Sequence, residues 1–275
     1  METPVVAAAG LGFAYGRTTA LEGFNLDVAS GRITLLLGLN GAGKSTALAL
    51  LSGKLRPREG RIRIAGSDPR RASARRRLWL LEEVAAPPPH LTAREAVGFH
   101  LDLYGRTGSR KDAIVAALDR VGLTAVAKKR AGTFSKGMRR RLELGCLLAV
   151  DPEVWLLDEP QTGLDPRGLR LLKDLCLEAR GRGRSLVIAS HALADVPALA
   201  DDVHILRGGR TAFSGTRDGL LAEVGARSFV VSGNKDAFDQ ALRELASAHG
   251  VTLDGPQVPH EQLEELLFRE EDRTS

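Results

Sequence analysis

The chain holds only two cysteines, Cys146 and Cys176, in 275 residues. They match no metal-ligand spacing and cannot supply the dense bridging of a small secreted scaffold. Both lie in apolar helical contexts, so buried free thiols and a reducing, cytosolic compartment are expected. Aromatic residues are also scarce, at 4%, so the core must rest on Leu, Val, Ala and Ile. No apolar run approaches the roughly 18 residues needed to span a bilayer. Residues 1–16 lack a basic n-region and a continuous apolar h-region, so no signal peptide is expected. Neither sign of charge dominates: 39 basic and 34 acidic residues leave a net charge of +5. Much of the arginine excess falls between Arg56 and Arg77. A nucleic-acid surface, contact with anionic lipid and a plain solvated face all fit that cluster. The solvated face is favoured, because no aromatics interleave for base stacking.

Against these absences stands a hydrophobic content of 43%, ample for a packed core. The length allows one large domain, or one domain with a small appendage. Residues 3–36 alternate short apolar stretches with turns expected at Gly16, Gly23 and Ser30-Gly31, a β-rich start with 24–28 an alternating strand. Further strands are read at 61–65 and 78–81. The character then changes. Residues 86–90 are proline-rich and form a loop, and Thr92-Ala93-Arg94-Glu95 fits a capping box that starts a helix running to about Tyr104. A second helix spans about 110–121 and stops at Gly122, and a third follows Ser135 and ends before Asp151-Pro152. Residues 84–150 thus read as a helical insert between strands. Strands return at 154–157 and 185–189, with a helix at about 166–180 between them. A terminal strand pair, 203–206 and 210–213, turns at Gly208-Gly209. From about Asp218 a small module is expected: strands at 228–231 and 251–253, and helices at 235–248 and 260–271. The last of these is amphipathic and can dock on the core or on a second subunit, with core docking expected.

The segment from Gly38 to Thr46 carries the clearest chemistry. Gly38, Gly43, Lys44 and Ser45 satisfy G-x-x-x-x-G-K-[ST], between the apolar run 33–37 and the helix-forming run 47–51. In that context the backbone N–H groups of Gly38, Leu39, Asn40, Gly41, Ala42 and Gly43 can close around phosphate oxygens, which a Cβ would obstruct. The helix beginning near Lys44, with Ser45 and Thr46 in its first turn, adds unpaired N–H groups and a positive dipole end. Lys44 offers a point charge to the outer phosphates, and the Ser45 hydroxyl can ligate magnesium. Downstream, the apolar strand 154–157 ends in Asp158-Glu159. One carboxylate can hold the metal, and the next can orient and deprotonate a water aimed at the γ-phosphate. Phosphate cradle, metal and positioned nucleophile are the three needs of phosphoryl transfer.

Thr133-Phe134-Ser135-Lys136-Gly137-Met138, followed by Arg139-Arg140-Arg141-Leu142, resembles the signature segment of the ABC-transporter ATPases. The order of motifs is similar along residues 11–216. The resemblance implies an α/β P-loop NTPase fold with a mixed sheet core, occupying 1–217 with the helical insert, and an accessory module at 218–275. It implies ATP and Mg2+ as cofactors and a second copy, or a paralogous ATPase subunit, paired head to tail. It also implies a separate transmembrane permease as partner, no nucleic acid, and a cytoplasmic place on the inner face of the cell membrane. Within the resemblance Tyr15 stacks on adenine. Ser135 and Gly137 touch the γ-phosphate held by the other subunit, and Ser135 is also well placed to cap the helix that follows it. Asp165, in Gly163-Leu164-Asp165, belongs to the loop that couples the subunits. Lys44 and Glu159 take catalytic roles, with His191 as the switch histidine that bonds the γ-phosphate. Ser45 and Asp158 hold magnesium. Glu83, with Glu82 beside it, stands where most members carry a magnesium-sensing glutamine. Lys136 replaces a more usual glycine, as in the exporter branch that handles drugs and polysaccharides. Gln161 replaces a common threonine, with no consequence readable from sequence. Two rivals remain. A soluble ATPase of translation or repair would show salt-sensitive nucleic-acid binding, and a P-loop kinase would release a phosphorylated metabolite.

Overall fold

The computed structural model describes residues 4–84, 87–191 and 199–223. Two sheets form its frame. Strands β1 (Val6–Tyr15), β2 (Thr18–Val28) and β4 (Glu59–Ile64) make a small antiparallel sheet in the order β2-β1-β4. The main sheet has six strands in the order β5-β6-β7-β3-β8-β9. These are β5 (Leu78–Leu81), β6 (Val154–Asp158), β7 (Ser185–Ser190), β3 (Ile33–Leu37), β8 (Asp202–Arg207) and β9 (Arg210–Thr216). All neighbours are parallel except β8 and β9, a hairpin. The sheet is therefore mixed, as the sequence implies.

The central strands are apolar throughout because both faces are covered. Alternation divides their side chains between two cores. Leu35, Leu37, Trp155, Leu157 and Ile188 pack towards the helical insert and α6 (Pro166–Gly181). Leu36, Leu156, Val187 and Ala189 pack on the other side with α1 (Lys44–Leu51) and with Val6, Leu11 and Phe24 of the small sheet.

Three helices form the insert, as read from the sequence: α3 (Ala93–Leu103), α4 (Arg110–Arg120) and α5 (Lys136–Val150). The capping box is present, with Glu95 N–H donating to Thr92 Oγ1 at 3.2 Å and Thr92 N–H to Glu95 Oε2 at 2.8 Å. Ser135 caps α5 by accepting the Met138 N–H at 3.2 Å. Asp151, at φ 43°, and Pro152 end that helix. Cys146 and Cys176 are free and buried in α5 and α6.

The expected turn at Gly23 is not one. Strand β2 runs through it as an irregularity, with the register slipping between the Leu11–Phe24 and Phe13–Leu21 pairs. Gly23 takes φ 63° there, and Asn25 bridges the defect: its Nδ2 donates to Gly23 O and its Oδ1 accepts the Gly10 N–H. Two short helices went unread in the sequence, α2 (Ala72–Arg75) and α7 (Arg217–Glu223). The second places Leu220 in the main core. The strands and helices expected between 228 and 271 lie outside the described residues.

Among the described residues no helix is long and apolar enough to cross a membrane.

Candidate functional site

Strands β6, β7 and β3 are parallel neighbours, with Asp158 opposite Ala189 and Leu37 opposite Ser190. Their carboxyl ends therefore lie level, and the three segments that follow them meet at one edge of the sheet. Gly38 begins one segment, Glu159 the second and His191 the third.

The loop from Gly38 to Gly43 closes tightly on its surroundings. A Cβ on Gly38 would stand 2.5 Å from Leu206 O, and one on Gly43 would stand 2.6 Å from Ala20 O. Gly43 also adopts φ 106°, which side-chain-bearing residues rarely reach. As residue before α1 it provides no side-chain cap, so the first N–H groups of the helix have no cap partner. Glycine backbone and uncapped helix start form an anion cradle. Lys44 is buried within it; its Nζ donates to Gly38 O at 2.7 Å and Leu39 O at 3.1 Å and lies 3.8 Å from Glu159 Oε1. Burial lowers the Lys44 pKa, against the pull of Glu159 and Asp158.

Asp158 is 6% exposed, and its Oδ1 has no hydrogen-bond partner among the described residues. Burial raises its pKa; a hydrogen bond with Ser45 opposes the rise, while the charges of Glu159 and Glu83 add to it. A buried, unsatisfied carboxylate oxygen beside a hydroxyl fits a hard divalent cation. Among the described residues no three His, Cys, Asp or Glu side chains are arranged to hold a metal ion by themselves. That donor set suits magnesium, which keeps waters and takes phosphate oxygens beside one or two carboxylates.

Glu159 is also 6% exposed and sits at φ 41°. A left-handed conformation costs a non-glycine residue roughly 1–2 kcal/mol. Its side chain is held from several directions. Oε2 accepts from Gln161 Nε2 at 2.7 Å and lies 2.9 Å from His191 Nδ1. Gln161 Nε2 also reaches Ser190 Oγ at 3.1 Å, tying the carboxylate to the end of β7. Gln161 thus has a structural part that its sequence position did not disclose.

The two neighbouring glutamates separate clearly. Glu82 pairs with Lys54 at 2.5 Å, whereas the charge of Glu83 acts on both Lys44 and Asp158. Tyr15 ends β1, 55% exposed and edge-on to Phe13 at 4.9 Å. Ser135 and Gly137 pack elsewhere: a Cβ on Gly137 would lie 2.9 Å from Gly163 O, and the Lys136 stem crosses Gly163. Asp165 caps α6, accepting the Gly168 N–H at 2.7 Å.

A residue missed in the sequence is Arg140. It is 4% exposed, on α5, and reaches the backbone around Glu159. Its spacing of three, four and seven residues from Glu143, Leu144 and Leu147 places it on the buried face of the helix.

A family model described as "ABC transporter" matches residues 21–162. The chain is 33% identical over 246 residues to the linearmycin resistance ATP-binding protein LnrL of Bacillus subtilis strain 168, covering 87% of this chain and 79% of that one. It is 38% identical over 256 residues to the daunorubicin resistance ATP-binding protein DrrA3 of Streptomyces coeruleorubidus, covering 87% and 77%. A solved structure described as the ATP binding subunit of an ABC transporter superposes with a TM-score of 0.76 at 27% identity, over 88% of this chain and 99% of that one.

Proposed function

The chain belongs to the ABC transporter family of ATP-binding domains, and from that premise we propose that it binds and hydrolyses ATP to drive a separate membrane permease, in the direction of export. The observation that carries the reading is the convergence of Lys44, Asp158, Glu159 and His191 on one glycine cradle.

ATP would lay its phosphates against the loop amides and the first turn of α1. Lys44 would exchange the carbonyls of Gly38 and Leu39 for phosphate oxygens. Glu159 would take a proton from the water that attacks the terminal phosphorus, giving ADP and phosphate. His191, already beside that carboxylate, would bond the phosphoryl group. Ser45 and Asp158 would hold the magnesium ion, with Glu83 near it; the ion would supply charge neutralisation. Tyr15, at its exposed strand end, would stack on the base. Gly137 and the Lys136 stem lie against Gly163, with Ser135 and Asp165 close in sequence to either side, so a second copy placed head to tail would bring its own set to this chain's phosphates. The resistance functions in the relatives' names support export.

The test is ATP binding and phosphate release by the purified protein, with and without its membrane partner. Glu159→Gln should keep ATP binding, lose turnover and accumulate an ATP-bound dimer. Hydrolysis by that variant at the parental rate would remove Glu159 as the base.

A further inference from the structure

Arg140 stands out among the buried charges because every donor it owns is used. A guanidinium carries five N–H bonds in a rigid fork. Nε donates to Pro160 O at 3.1 Å. Nη2 donates to Asp158 O and Glu159 O, both at 3.0 Å. Nη1 donates to Glu82 O at 2.7 Å and to Glu143 Oε2 at 3.3 Å. Four of these five acceptors are backbone carbonyls of the core, at the end of β6 and in the segments that follow β5 and β6. The arginine itself belongs to α5, in the helical insert. Glu159, whose carbonyl it holds, is the non-glycine residue of the site with left-handed backbone.

We propose that Arg140 is a positioning residue: its guanidinium clamps the 158–160 backbone, so that the insert sets where the Glu159 carboxylate stands. This rests on the reading of Glu159 as the base. A strained backbone persists only where its surroundings over-determine it. The other contacts of Glu159 arise within the core: Lys44, Gln161 and His191 on its side chain, and Ala189 O on its N–H. Arg140 alone among these named partners comes from the insert. If the insert turns against the core, the fork moves against three successive carbonyls at once. A lysine has three donors and no planar fork, and it cannot hold this set.

The test compares steady-state ATP turnover by the full-length parent, by Arg140→Lys, and by the double variant Arg140→Met with Glu143→Leu. The double variant removes both charges of the buried pair together, so that neither is left unpaired. For Arg140→Lys, kcat should fall on the order of ten- to a hundredfold, the loss expected when a reacting group shifts by about an ångström. KM for ATP should stay within about twofold, the pattern of an interaction realised in the transition state. Thermal melting identifies any variant that fails to fold. If Arg140→Lys is one, the folded double variant should show the same fall in kcat. A folded variant with parental kcat, or with KM raised and kcat unchanged, overturns the clamp alone. A parent that does not hydrolyse ATP removes the functional reading and the clamp together.

Discussion

Replacing Glu143 with glutamine should strip the fold of a defined part of its pH dependence. Glu143 is 6% exposed on α5. Burial is the main force on it and pushes its carboxyl from an ordinary 4.5 up to about 7, with Glu82 adding to the rise and Arg140 opposing it. A raised carboxyl favours the folded state only while protonated. Its contribution is complete below about pH 4.5 and is lost as pH climbs towards about 7, because the folded protein there keeps a proton that the unfolded chain has released. The difference between those two values corresponds to about 3 kcal/mol. Glutamine does not titrate and still offers an oxygen to Arg140. Urea unfolding of parent and variant, from about pH 5 to about pH 8, isolates this residue. The variant should gain on the parent steadily across that range and level off above neutrality. A stability difference that does not change with pH, or that moves the other way, would refute the burial argument.

Asp158→Asn should raise the melting temperature of the nucleotide-free protein at neutral pH. The carboxyl is held above its ordinary value, so its ionised form is the costly one, and the neutral amide avoids that cost; the same change should abolish magnesium-dependent turnover. Gly43→Ala should destabilise the fold and weaken ATP binding together, because the new Cβ meets Ala20 O at 2.6 Å and Leu21 Cδ2 at 2.8 Å at φ 106°; unchanged melting and nucleotide affinity would count against the cradle geometry. Thr92→Ala should cost about 1 kcal/mol through the lost cap on α3, read by thermal or urea unfolding.

The sequence was most legible where the backbone itself dictates the residue. The glycine loop between β3 and α1, the Thr92–Glu95 cap, the Ser135 cap and the apolar strands at 78–81 and 154–157 all depend on local chemistry, and the structure places these elements as read. Arg140 was read only as part of the signature-like string, and nothing in that string discloses its clamp on the backbone. Four of its five partners are carbonyls, up to 58 residues away, and no side-chain pattern announces a carbonyl. Gln161 was noticed as a departure, but its contact with Ser190 spans 29 residues and depends on β6 and β7 being neighbours. Gly23 misled for the opposite reason: positive φ serves a bulge as well as a turn, and only the pairing of β1 with β2 decides between them.

The two strands that bracket the helical insert, β5 and β6, are immediate neighbours in the sheet, with Leu78 beside Val154. Their pairing has to wait for a long excursion of chain to come home, which carries a loop-closure entropy penalty that an earlier event can reduce. Contacts among α3, α4 and α5 span fewer residues than the Leu78–Val154 pairing, and contacts closer in sequence form faster. The three helices would therefore assemble first and deliver both ends to the same place. Strand β5, at the sheet's margin, would then join among the last, and refolding experiments should find its amides protected after those of α3 and α5.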